Sequence, residues 1–423
     1  MTATTPEPLF IRNVRTLNGD TISLEIKNGL IEERYHKEPS VPDERPSEQV
    51  IDGEGRLITP TFCEPHIHLD ATLTAGDPRW NQTGTLREGI EIWADYKQDL
   101  TADDVCRRAM KAIRHLALHG VTRVRSHVDT TESSLTTVKG LLKAQDQLSD
   151  RIRLQLVAFP QDGIFTAPEN EDLHESSLEM GVDLVGAIPH NEWTREDGVR
   201  SIHRALDLAE KYDRPLDVHI DETDDPHSRF TEVLVSESRK RGIDQRVTAS
   251  HATAMHSYNN AYASKLIGMM SKSDINVVTN PLDNSVLQGR YDSYPRRRGH
   301  TRIDQLIEAG IPVGIGHDSL QDPWYHYGQG DPMDAAFVLL HYAHMNGYSD
   351  IQTLWTMLTE NNATIWGADR YGIEQGDEAS VIIWDADNPY DALRTRAVRR
   401  YVISRGLVIA RSRPAQKSLE VDL

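Results

Sequence analysis

Two histidines separated by one residue, His66 and His68 in EPHIHLD, follow an apolar run. In an extended strand residues i and i+2 face the same side, so the two imidazoles converge. Two ring nitrogens begin a metal site without completing one. His219 in DVHIDE and Asp318 in GHDS stand at the ends of two further apolar runs and complete a set of three imidazoles and one carboxylate. Three or four nitrogen and oxygen ligands with an open position suit one catalytic Zn2+ or Fe2+. Such an ion lowers the pKa of a bound water to ~7, which makes hydrolysis feasible near neutral pH. Glu222, three residues after His219, is spaced to shuttle protons. His251 in TASHATAMHS is spaced to orient the water and steady a developing oxyanion. Taken singly, Glu222 reads equally as a surface carboxylate and His251 as a satisfied core histidine. A carboxylated lysine bridging a second ion has no candidate, because the corresponding runs end in Gln161 and His190.

The elements that must position these groups are eight short apolar, β-branched runs: Leu57–Phe62, Val121–Val128, Ile152–Phe159, Val182–Ile188, Pro215–Ile220, Arg246–Ser250, Ile275–Thr279 and Ile311–Ile315. Helical periodicity separates them, over Asp103–His119, Glu196–Tyr212, Ser228–Arg241 and Tyr258–Ser271. Strands alternating with helices read as parallel βα units, and eight of them close a (β/α)8 TIM-type barrel. Each run finishes in a polar group: His66 with His68, His127 with Asp129, then Gln161, His190, His219 with Glu222, His251, Asn280 and Asp318. Active sites of this barrel lie at the C-terminal strand ends. Residues 59–369 are therefore expected to form the barrel. Residues 1–58 and 370–423 carry short strand patterns such as ISLEIKNGLIEER and RYVISRGLVIA. Neither flank has the apolar surface for its own core, so both chain ends are expected to build one small β domain. The acidic, Pro-containing stretch 40–49 reads as an exposed turn.

Composition narrows the function classes. The chain has 423 residues and a formal net charge of −19, which argues against a nucleic-acid or anionic-membrane partner. No apolar run approaches the ~18 residues of a membrane span. MTATTPEPLF lacks a basic region followed by an apolar core, and two cysteines cannot make a disulfide framework, so a cytoplasmic setting is expected. Cys63 lies at an odd offset from His66 and reads as core packing. Arg296–Arg298 reads as a subunit contact or solvated loop. His256, His341 and His344 are assigned no chemistry.

Longer segments carry a resemblance over nearly the whole chain: EPHIHLD, NQTGTLREGIEIWA, AFPQDGI, GAIPH, DVHIDE, TASHATAMHSYN, LQGRYDSYPRRRG and GHDSLQDPWY. The chain resembles bacterial cytosine deaminase of the amidohydrolase superfamily. The resemblance implies a mononuclear iron or zinc enzyme, a homo-oligomer with a small β-sandwich domain beside the barrel, that hydrolyses the amine of a free nucleobase. It implies His66, His68, His219 and Asp318 as ligands, Glu222 as the proton shuttle to the ring and His251 beside the attacking water. It also implies Gln161 at the amide-like edge of the base, with the Leu86 backbone and Trp324 at the pocket. Two positions depart from the pattern. Ser319 stands where the cytosine-specific motif resembles Gly-His-Asp-Asp, and Asp283 stands where an apolar residue is expected. Ser319 reads either as a neutral change that retains cytosine or, being smaller and uncharged, as room for a 5-substituted ring such as 5-methylcytosine or a larger base such as isoguanine. Creatinine-type deamination and cyclic amide hydrolysis are the alternative reactions on such a barrel. A non-catalytic scaffold is disfavoured by the intact ligand set.

Overall fold

The computed structural model describes residues 7–36, 46, 49–148, 150–416 and 418–420; the stretch 40–49 lies almost wholly outside them. The strands are β1 (Leu9–Arg15), β2 (Thr21–Lys27), β3 (Leu30–Tyr35), β4 (Val50–Pro60), β5 (Phe62–Ile67), β6 (Val121–Asp129), β7 (Arg153–Phe159), β8 (Leu184–Ala187), β9 (Leu216–Ile220), β10 (Val247–His251), β11 (Asn276–Thr279), β12 (Val313–Ile315), β13 (Val381–Trp384), β14 (Arg399–Ser404) and β15 (Leu407–Arg411). Strands β5 to β12 form one eight-stranded parallel sheet in chain order, which is the barrel the alternation implies. All residues of β6 and of β8 to β12 are buried, as in a parallel sheet covered by helices on one face and filled on the other. Helices Ala102–Leu118, Arg195–Tyr212, Phe230–Arg241 and Asn260–Met270 fall within two residues of the four periodic stretches. Three of them start where a side chain takes up a free N–H of the first turn: Thr101 from Asp104, Thr194 from Asp197 and Asn259 from Tyr262.

The first run requires correction. Leu57–Pro60 belongs to β4 of a different sheet, and the barrel strand that leads to the histidines is β5. The apolar run continues straight across the switch between sheets, so its hydropathy holds no trace of the boundary. The seam between β12 and β5 is closed by backbone and side chain together. Asp318 N–H donates to His66 O at 2.8 Å and His68 N–H to Asp318 O at 3.1 Å. Below them Asn362 accepts from Ile315 N–H at 2.9 Å and donates to the carbonyls of Ile315 and Cys63 at 2.8 and 3.0 Å. Gly314 makes this approach possible: a Cβ there would lie 2.3 Å from Asn362 Oδ1. Cys63 packs in a small apolar cluster with Ala363 and Trp366, where burial pushes its thiol up to about 12. It is core, and Cys106 is likewise buried and unpaired.

The remaining strands make one mixed seven-stranded sheet, in the order β15-β14-β13-β4-β1-β2-β3. Both chain ends build it, with β4 pairing β1 along its first part and β13 along its last. The two halves share one core containing Ile11, Leu24, Ile26, Ile58, Val381, Ile383 and Ile403, so both chain ends build the expected small β domain as one mixed sheet. Buried ion pairs fasten this sheet to the barrel. Arg399 on β14 forms a two-pronged pair with Asp331, and Glu378 accepts from Arg123 and Arg153. Breaking a buried pair on one side strands the other charge at a cost of about 3–5 kcal/mol. Arg399→Ala is expected to lower the denaturation midpoint markedly, and the double variant Asp331→Leu/Arg399→Met to recover most of it. Equal losses in both would show that the pair contributes only packing. Among the described residues, no helix is long and apolar enough to cross a membrane.

Candidate metal centre and substrate pocket

The strand ends deliver their polar groups to one point. His66 is the last residue but one of β5 and fully buried, and His68 comes just beyond the strand. His68 Nε2 lies 3.1 Å from His219 Nε2, and Asp318 Oδ1 lies 3.5 Å from His66 Nε2 and 3.4 Å from His68 Nε2. Donors that share one first-row ion at about 2.0–2.1 Å stand about 3.0–3.4 Å apart, so this spacing fits a single cation. His66 Nε2 is buried without a hydrogen-bond partner, a lone pair with nothing else to receive it. Burial, with crowding by neighbouring imidazoles, holds His219 well below the ordinary histidine range, which keeps it neutral as a ligand must be. Burial opposes the charge on Asp318, but His251, His66 and His68 together hold its carboxyl well below the usual carboxylate range. His66, His68 and Asp318 lie close enough together to hold one ion, with His219 against His68, and His66 also stands within such reach of His219 and His251 and of His127 and Asp217.

The ring of His66 is held from behind by a relay that the pattern of apolar runs does not reveal. Ser250 Oγ donates to Asp217 at 2.7 Å, so it can only accept from His66 Nδ1–H, 3.1 Å away. That fixes the tautomer and aims Nε2 at the centre. Asp217 is in turn paired with the buried Arg125 at 3.0 Å. Core-facing polar residues inside apolar strands were the available signal.

His251 and Asp318 both adopt left-handed backbone, with φ of 70° and 69°. Non-glycine residues resist this region, and such strain collects at functional sites. It swings both side chains over the barrel mouth. The amides of Asn280 and Asn284 approach His251 Nδ1 at 3.3 and 3.1 Å and hold its ring. Glu222 Oε1 lies 3.5 Å from the same nitrogen. Its loop is anchored by Asp221, which accepts from Ser228, Phe230 and Thr231 at the start of the next helix. Burial first, and Asp318 second, push the Glu222 carboxyl well above its ordinary range.

These groups open into one small, partly enclosed cavity at the mouth of the barrel. Gln161, Leu86, Trp324 and Ser319 all line it, beside His68, Glu222 and Asp318. Leu86 begins a helix capped by Thr85. Gly89 of that helix lies so close to Trp324 that a Cβ would meet the indole at 2.3 Å. Every residue proposed for substrate or metal from the sequence therefore borders one cavity or its floor. His190 and His127 do not line it: His190 sits in the turn Pro189–Asn191, and His127 packs against His66 at a tilt, with ring centroids 4.0 Å apart. Arg297 of the basic run is paired with Asp292. Asp283 and Leu287 line the cavity without having been assigned a role from the sequence.

A parallel barrel with imidazoles and buried carboxylates gathered at its C-terminal strand ends defines a barrel hydrolase, and the chain belongs to the amidohydrolase family, whose model matches residues 49–411. It is accordingly a hydrolase acting on C–N bonds. A 5-methylcytosine deaminase from Klebsiella pneumoniae, solved with 5-fluorocytosine, superposes with a TM-score of 0.93 at 44% identity, covering 97% of this chain and 99% of that one. N-isopropylammelide isopropyl amidohydrolase of Pseudomonas sp. (strain ADP) is 29% identical over 95% of this chain and 97% of its own length. Pterin deaminase of Rhizobium rhizogenes is 27% identical over 86% of this chain and 83% of its own.

Proposed function

We propose that the protein deaminates a free aminopyrimidine, cytosine or 5-methylcytosine, with one Zn2+ or Fe2+ held by His66, His68, His219 and Asp318. The observation that carries this reading is the convergence of those four ligand groups beside a small cavity that also presents Glu222 and Gln161. When bound, the ion supplies an acidified water near neutral pH.

The chain's own residues do the rest. Gln161 offers a donor and an acceptor to the O2 edge of the ring. Glu222, whose burial favours its protonated form, gives a proton to N3, so that electron density at C4 can retreat onto nitrogen. Water adds at C4, with His251 steadying the oxygen that bonds there. A second proton, returned through Glu222, leaves with the amine as ammonia. The products are uracil or thymine. Trp324 and Leu86 close the pocket over the base, and a site built to pair with these edges rejects rings that lack them. Isoguanine is the second reading, favoured by the small Ser319 side chain.

Ammonia release from cytosine, 5-methylcytosine, isoguanine, creatinine and dihydropyrimidines tests the proposal. Turnover of the two cytosines above the other rings is expected, and release only from an open amide or a dihydropyrimidine would overturn it. Ser319→Asp is expected to lower kcat/KM on 5-methylcytosine relative to cytosine by about tenfold, because the larger acid takes the space of the methyl group. An unchanged ratio would remove Ser319 from the account of specificity.

A further inference from the structure

Asp283 is 1% exposed and borders the substrate cavity. The charges facing it are the carboxyls of Asp318, Asp322 and Glu222. Its one backbone donor is the N–H of Ser319, at 3.4 Å. Burying a carboxyl among carboxyls is costly, and in the packing around it only Ser319 is seen to offset that cost. An apolar side chain at this site on the helix Pro281–Leu287 would fill the same space without that cost. Such a residue, facing a cleft, is a candidate for a role in binding.

The order of strands around the barrel says which part of the ring it meets. The cavity groups come from successive strands: Gln161 after β7, Glu222 after β9, His251 on β10, Asp283 after β11, Ser319 after β12 and Leu86 after β5. Gln161 and Asp283 therefore come from opposite sides of an eight-stranded barrel. The edge of a cytosine ring, read in one direction, runs O2, N3, the C4 amine, C5, then C6 and N1. With O2 at Gln161 and N3 at Glu222, as the proposed function has it, the C4 amine falls between His251 and Asp283, and C5 falls at Ser319.

We infer that Asp283 is a substrate-binding residue that accepts a hydrogen bond from the exocyclic amine, and that it supplies from β11 the acid that Ser319 does not supply from β12. A carboxyl oxygen accepts from an amine in either protonation state, so the assignment is independent of its charge. The 4-oxo product has no hydrogen to give in that place, so the contact favours substrate over product. The inference rests on the proposed function and deepens it, naming the group that recognises the leaving amine.

The test is steady-state kinetics on cytosine and 5-methylcytosine, with metal content and thermal midpoint measured for each protein. Asp283→Val is expected to raise KM and lower kcat/KM at least tenfold on both bases. Asp283→Asn, which keeps an acceptor oxygen, is expected to lose about threefold. Ser319→Asp alone sets a new carboxyl against Asp283 and lowers both activities, 5-methylcytosine more. The double variant Asp283→Val/Ser319→Asp moves the acid and is expected to regain cytosine turnover over Asp283→Val while 5-methylcytosine stays poor. A structural role alone would make the two changes add or worsen one another. Wild-type kcat/KM in Asp283→Val, or no recovery in a folded, metal-loaded double variant, would overturn the inference. Should Asp283→Val not fold, a loss in Asp283→Asn as large as in a folded Asp283→Ala would do the same. A wild-type protein with no activity on either base would instead overturn the proposed function, and this inference with it.

Discussion

Glu222→Gln is expected to reduce kcat by about 10²- to 10⁴-fold while leaving metal content and KM near wild type. Glutamine keeps the shape and the polar end of the side chain but cannot pass a proton to a ring nitrogen and take it back. The residue is 4% exposed, so no bulk water can substitute for it, and the burial that shields it also keeps its proton in place. The effect should fall on kcat, because proton transfer is made in the transition state and not on binding. Rapid-quench measurement of ammonia with saturating cytosine separates the alternatives. A full burst in the variant would show that chemistry is intact and that Glu222 acts elsewhere.

Removing a ligand is expected to cost more. Asp318→Ala takes away the carboxylate that stands 3.4–3.5 Å from two of the histidine nitrogens and also faces His251. The loss of several kcal/mol of transition-state stabilisation corresponds to on the order of 10³-fold or more in kcat/KM. His219→Ala should act alike, since its Nε2 faces that of His68. Chelation of the wild-type protein should give the same loss, reversed by Zn2+ or Fe2+ and not by Mg2+, which prefers oxygen ligands. Activity that survives dialysis against a chelator, with no metal left, would refute the metal-centred reading.

Much of this site was legible because barrel strands print themselves plainly. Buried parallel strands are unbroken apolar runs, and the residues just past the end of each run stand on one face of the fold. That rule gathered His66, His219, Glu222, His251 and Asp318 from widely separated parts of the chain. It failed at Leu57–Pro60, where one apolar stretch serves two sheets in turn. It was also blind to groups inside the strands. Ser250, Asp217 and Arg125 read as interruptions in apolar runs, and only their contact in space makes them a relay behind His66. Asp283 was visible as an odd residue, but its meaning depends on Ser319, which arrives from the neighbouring strand 36 residues later.

Anomalous X-ray scattering from crystals of the purified protein, collected on both sides of the zinc and iron edges, locates the ion directly. One peak per chain is expected, bounded by His66 Nε2, His68 Nε2, His219 Nε2 and a carboxylate oxygen of Asp318. A peak among His66, His127 and Asp217 instead, or none in an active preparation, would contradict it.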